Sequence, residues 1–326
     1  MVRYVLKRII LMIPMLLAII LVVQLLLVSV TDNSRGRFSA YGYDDGLESF
    51  LKEHEVPDRF PAQYLRYVYN LFVKRQFSPT EAGDTQFMQN ITQRTGQTLK
   101  LTLLGIALTV LIGVPLGIVS AVHRDGAADR IISMLTLLFA SIPSFCLAIF
   151  LVMIFSLALQ LLPVFGITEP GAYIMPTFVL GIGGVALMVR MTRSAVSDVL
   201  ERPYVTTLYA KGLASRKIIF GHVLKNSLVT VVATVNNVVV QMFCSTLVVE
   251  NFFSIPGLGS YLVESVLSRN MMGVLACVVI IAAILMLVGL LCEVLQLAAD
   301  PRARKTVKTT GSMKKDRQTG GAADAK

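Results

Sequence analysis

A chain of 326 residues that is 55% hydrophobic and only 15% charged is too apolar for a soluble domain of its size, and a mean hydropathy of +0.69 agrees. The net charge of +10 does not call for nucleic acid, because Lys and Arg gather at the ends of apolar runs, where membrane topology places them. Apolar stretches of about 20 residues, each able to cross a hydrocarbon core of about 30 Å, recur along the chain. The expected fold class is an all-α integral membrane protein.

Residues 1–30 carry Arg3, Lys7 and Arg8 and then run apolar. The run exceeds a signal-peptide core of about 7–15 residues and has no clean cleavage site, so it reads as a retained first span with a cytoplasmic N-terminus. Residues 31–97 mix charges with aromatics and read as an external loop or small extramembrane domain, with Tyr64, Tyr67, Leu71 and Phe72 on one apolar helical face. Residues 98–299 then supply five further spans. The second, about 98–122, contains Gly105, Gly113, Pro115 and Gly117, small or bending residues that permit close packing in lipid. The third, about 131–162, is long enough to be tilted or broken, and Pro143 between Ser141 and Ser144 is the expected kink. The fourth, about 174–191, carries GIGG at 181–184. The fifth, about 227–249, leads through a turn at Pro256 to the sixth, about 271–297, with Glu250 and Arg269 at external edges. Both termini are then cytoplasmic. Residues 300–326 are polar, glycine-containing and aperiodic, and are expected to be disordered.

Between spans four and five lies residues 201–226, ERPYVTTLYAKGLASRKIIFGHVLKN, polar and basic between two apolar neighbours. Pro203 suits the first turn of a helix. Val205, Leu208 and Tyr209 follow at i, i+3, i+4 and predict one apolar face. Gly212 stands where a left-handed cap is wanted, with Lys211 against the negative end of the helix dipole. Ser215 is the expected cap of a second helix carrying Ile218, Ile219 and Val223, with Arg216, Lys217 and Lys225 elsewhere. Such an elbow is either an interfacial helix lying on anionic lipid or a docking surface.

No G-x-x-x-x-G-K-[ST] phosphate cradle occurs, so the chain shows no ATP site of its own. Span centres lack Asp, Glu, Lys and Arg, which disfavours an ion-coupled carrier, and Glu293 near the end of the last span reads as a snorkelling carboxylate. His54, His123 and His222 are unpaired, Cys146, Cys244, Cys277 and Cys292 lack ligand spacing, and no metal or cofactor is expected in this chain. His222 reads as a helix-packing residue ahead of a pH sensor. Ser141, Ser144, Asn226, Asn236, Asn237 and Gln241 either bond between helices or line a polar pathway. An energy-using transporter of this kind must take its energy from a partner.

The segment RMTRSAVSDVLERPYVTTLYAKGLASRKIIFGHVLKNSL resembles the signature cytoplasmic loop of ABC-importer permeases, and within them the dipeptide/oligopeptide/nickel branch. Arg190, Arg193, Leu200, Tyr204, Val205, Thr207, Ala210, Lys211, Gly212, Leu213, His222, Leu224 and Asn226 carry the likeness. It extends in order to Arg124…Asp129, Ser141-Ile-Pro-Ser-Phe145, Glu250-x-Phe-Phe-x-x-Pro-Gly-Leu-Gly259 and Asp300-Pro-Arg302. Departures fall at Val30-Thr-Asp-Asn-Ser34, at residues 76–88 and at Arg269-Asn-Met-Met272, all on the expected external side. The resemblance implies a permease in a bacterial cell membrane, not an enzyme. It would pair with a second homologous permease, two cytoplasmic ATPase subunits that hold ATP and Mg, and an external substrate-binding protein. It implies a coupling helix at 203–211, with Tyr204, Val205, Thr207, Leu208, Tyr209, Ala210, Lys211, Gly212, Leu213, Arg216 and His222 serving the ATPase contact. Peptides are the expected cargo, with nickel or a nickel chelate as the alternative.

Overall fold

A computed structural model describes residues 2–30, 60–74, 81–268 and 270–299. The expectations for residues 31–59 and 75–80, for Arg269 and for the tail 300–326, Asp300-Pro-Arg302 included, fall outside them. Every regular element among the described residues is helical. In chain order these are α1 (Val2–Val30), α2 (Phe60–Tyr69, prolonged by π-turns over Asn70–Lys74), α3 (Glu81–Val122) and α4 (Ala127–Ser141). There follow α5 (Ser144–Leu151, prolonged by π-turns over Val152–Ala158), α6 (Ile174–Leu200), α7 (Pro203–Ala210) and α8 (Ser215–Ile218). Wide turns over Ile219–Val223 then run into α9 (Leu224–Phe252), followed by α10 (Leu258–Leu267) and α11 (Met271–Ala299).

Five stretches are long and apolar enough to cross a bilayer: Val5–Leu26, Phe87–Val122, Ile174–Leu200, Ser215–Phe252 and Met272–Ala298. The pair α4–α5, bent by 98°, makes six when counted as one broken span. Its break lies at Ile142 and Pro143, where the sequence places it. Pro143 cannot donate a backbone bond to the preceding turn, and the Ser141 hydroxyl donates back to Leu137 O at 2.8 Å in the last turn of α4.

α3 is longer than its apolar stretch suggests. Residues 81–97, expected in the external loop, form its first turns, and the helix runs 42 residues, about 63 Å at 1.5 Å per residue. Tertiary packing makes this polar sequence helical: Ile91 is buried against Leu258, Tyr261, Ala276 and Cys277.

The core lies where α3 crosses α6. A Cβ on Gly113 would stand 2.7 Å from Met188 Cβ, and one on Gly117 2.6 Å from Thr192 Cβ. From the other side, Gly184 would meet the Thr109 side chain at 2.8 Å. These glycines are required by close approach, since their backbones are ordinary helix. Leu101, Met188, Val238 and Met242 fill the centre.

Candidate functional site: the elbow and its seat

α7 begins at Pro203, as expected, and ends in a Schellman motif. Gly212 has φ +77°, its N–H donates to Tyr209 O at 2.9 Å, and the Leu213 N–H reaches back to Leu208 O at 3.3 Å. Leu208 and Leu213 both pack on the apolar seat beneath the elbow, the contact that usually accompanies this cap. Here Gly is required by conformation, not by space: a Cβ at Gly212 would meet nothing within 4 Å.

The seat is a hydrophobic cluster that joins the elbow to two spans. Val205 from α7, with Ile218 and Val223 from the second arm, packs on Ile118 and Ala121 of α3 and on Val196 and Val199 of α6. Full burial of such side chains contributes about 1.5–3 kcal/mol each, enough to hold α7 rigidly on the bundle end.

Two expectations for the elbow are corrected. Tyr209 is 44% exposed instead of sharing the buried face. The stripe is centred between Val205 and Leu208, and at about 100° per residue Tyr209 lies about 70° away from it. Ser215 does not cap: Ala214 is the N-cap residue, Ser215 is the first helical position, and no side-chain cap bond forms. The second arm, α8, runs on through the wide turns into α9 as one stretch over Ser215–Phe252.

Asn226, weighed for packing or pathway, fastens the two arms. Its Nδ2 donates to Tyr204 Oη and to His222 O, both at 2.9 Å. His222 itself is half-buried. What remains outward is a surface of Tyr204, Thr207, Tyr209, Ala210, Lys211 and Arg216, joined by Lys217 and Phe220.

Behind the seat sits an ion pair that composition did not reveal. Asp129 at the start of α4 is buried and accepts two bonds from Arg193 of α6, Nε to Oδ1 at 2.7 Å and Nη2 to Oδ2 at 2.6 Å. Ser120 of α3 donates to the same carboxylate, as does the Asp125 N–H at 3.0 Å. Arg124 pairs with Glu201 at the entrance to α7. Three helix ends are thereby bolted to the platform that carries the elbow.

Of the five residues besides Asn226 weighed for a pathway, the structure brings two together. Ser144 and Gln241 line one cavity of about 170 Å³ beside the α4–α5 break, with Ile142, Gly183, Met242 and Ser245. Ser141 lies on the other side of the break. Asn236 turns toward Gly289 of α11, and Asn237 is exposed on α9. With Asn237, the side chains of Val240, Gln241, Cys244 and Val248 form one exposed stripe along α9. Among the described residues no group of His, Cys, Asp and Glu is placed to hold a metal ion.

At the other end of the bundle Glu250, expected at an edge, is fully buried. Its Oε2 accepts from the N–H groups of Gly259 (2.7 Å) and Ser260 (3.1 Å) at the start of α10. Thr98 donates to Oε1 at 2.7 Å, and its oxygen accepts the Leu258 N–H at 2.7 Å. A carboxylate from α9 and a hydroxyl from α3 thus cap α10.

The family described as binding-protein-dependent transport system inner membrane component matches residues 113–305, a stretch that holds the elbow, its seat and the Asp129–Arg193 pair. The chain belongs to this family of permease subunits. The permease is 30% identical over 265 residues to the dipeptide transport system permease protein DppB of Bacillus subtilis (strain 168), covering 81% of this chain and 86% of that one. It is 32% identical over 306 residues to the glutathione transport system permease protein GsiC of Pectobacterium atrosepticum, covering 93% and 99%. In structure it is similar to the MetNI methionine ABC transporter in inward-facing conformations, with TM-score 0.55 and 18% identity over 66% of this chain and 98% of that one. The family places the permease in the bacterial inner membrane as a multi-pass component.

Sequence reasoning missed Ser120, Asp129 and Thr98 as members of polar nodes. Asp129 and Glu250 do stand inside the motifs that carry the resemblance, and that was the available signal.

Proposed function

We propose that this permease is one half of the translocation pathway of an ATP-driven importer of peptides. The observation that carries the reading is the elbow: α7 is rigidly seated through Val205 and Leu208 while Tyr204, Thr207, Tyr209 and Lys211 face outward. A helix that only lay on lipid would put its apolar side toward the membrane, whereas here that side is consumed by the seat. The outward face is aromatic and basic, suited to a protein groove.

In this reading the elbow is cytoplasmic and inserts into an ATPase subunit that binds ATP and Mg, and hydrolysis belongs to that partner. A second homologous permease with its own ATPase subunit completes the complex, and an external binding protein delivers cargo. The exposed α9 stripe with Asn237 and Gln241, and the cavity at Ser144, face the shared pathway. ATPase closure drives the elbows together, and rigid-body motion of the two halves alternates access. The names of the relatives, dipeptide and glutathione transport, support peptide cargo over nickel.

The reading is tested by isolating the complex through this chain in mild detergent. Tyr209→Asp touches no buried contact and should lower recovery of the ATPase subunits by about tenfold, a loss of about 1.4 kcal/mol, while the second permease still copurifies. Peptide uptake should fall with it. Undiminished ATPase recovery together with normal uptake would remove the docking role from this face.

A further inference from the structure

We propose that α2 and its π-turn extension are a membrane element, half-immersed in the leaflet opposite the elbow, with a lateral face that contacts lipid acyl chains. The segment FPAQYLRYVYNLFVK reads as part of an extramembrane loop, yet its contacts lie at bilayer depth. The Tyr64 hydroxyl donates to Leu17 O at 3.1 Å. Leu17 is nine residues short of Leu26, where the apolar stretch of α1 ends, so its carbonyl lies about 13 Å inside that end. Tyr67 is buried in the same cluster as Ile20 of α1 and Met272, Leu275 and Val279 of α11, with Tyr64, Leu71 and Phe87 packed around them. Val279 is seven residues inside the start of the α11 stretch, about 10 Å. Two spans therefore place the innermost contacts of α2 independently at about 10–13 Å inside the apolar boundary, at the lower edge of the zone in which interfacial helices lie.

The opposite face of α2 identifies the occupant. Leu65, Tyr69, Phe72 and Val73 follow i, i+4, i+7, i+8 spacing and are each 45–65% exposed, so Phe72 leaves the inner face expected for it. On α1, too, apolar side chains such as Val22 and Leu26 are exposed within the first apolar stretch, as acyl-chain contact requires. Tyr69, with an apolar ring and a polar tip, suits the interfacial level. Tyr64 and Tyr67 packed inward on one side and exposed apolar residues on the other fit a helix at the membrane surface better than a loop in water.

The test uses full-length chain in proteoliposomes, with the four native cysteines replaced by alanine and single Leu65→Cys, Phe72→Cys or Val73→Cys substitutions carrying an environment-sensitive fluorophore. Lipids brominated on the acyl chains should quench all three positions, and aqueous iodide should leave them unquenched. Quenching by iodide but not by brominated lipid would overturn the proposal in favour of a water-exposed loop. Protection from both quenchers would overturn it in favour of a protein partner. Because the substituted side chains are exposed, the inner cluster that holds α2 is not altered by them.

Discussion

Asp129→Ala is expected to destabilise the permease by about 1–3 kcal/mol, the cost of taking the acceptor from donors that meet at a largely buried carboxylate, with Arg193 still partly open to solvent. The variant leaves the Arg193 guanidinium facing a void, deprives the Asp125 N–H of its acceptor and removes the partner of the Ser120 hydroxyl. Arg193→Ala strands the carboxylate instead, and Asp129 is the more deeply buried of the two. The double variant Asp129→Ala, Arg193→Ala carries no orphan charge and should be at least as stable as either single one. Size-exclusion profiles after stepwise heating in detergent check this. Losses that simply add in the double variant would show that the two groups do not depend on each other.

The consequence reaches the transport cycle under the proposed function. The elbow rests on the ends of α3 and α6, whereas α4 leads to the 98° break beside the Ser144–Gln241 cavity. Asp129 links the two. Without it, α7 keeps its hydrophobic seat while α4 is released from the platform, so uptake should suffer even where folded protein is recovered at low temperature.

Much of this architecture was legible because lipid imposes simple rules. Hydropathy located the spans, Pro143 marked the break, and Pro203 and Gly212 delimited α7, since each acts through its own backbone. The misreadings share a different cause. Residues 81–97 are polar and were read as loop, but packing on α10 and α11 makes them helix. Tyr209 satisfied helical spacing on a face too narrow to hold it, and Phe72 likewise. Glu250 reads as a charge at a span edge and Asp129 as a motif position without a partner, because burial of a carboxylate depends on donors brought from other elements. Thr98 lies 152 residues from Glu250, and no local pattern announces their meeting.

Glu250→Ala should undock α10. The substitution takes the acceptor from the Gly259 and Ser260 N–H groups and from the Thr98 hydroxyl, in a site without water-exposed alternatives. Each buried donor left unsatisfied costs about 1–3 kcal/mol, so local opening should become easier by orders of magnitude. Cys277 reports it directly, being fully buried under Leu258 and Tyr261 of α10. Its alkylation in folded protein should accelerate by about tenfold or more, with Cys277→Ala as the blank. Gly257→Ala should act in the same direction for a steric reason, because a Cβ there would fall 2.2 Å from the Glu250 carboxyl carbon. The Gly257 backbone is extended with φ −106°, so the obstacle to the methyl group is the nearby carboxylate and not the conformation. Combining Gly257→Ala with Glu250→Ala should then be no worse than Glu250→Ala alone. An additive effect would mean that Gly257 is needed for a reason other than the carboxylate, and unchanged Cys277 protection in Glu250→Ala would mean that α10 is held by its apolar face without its cap.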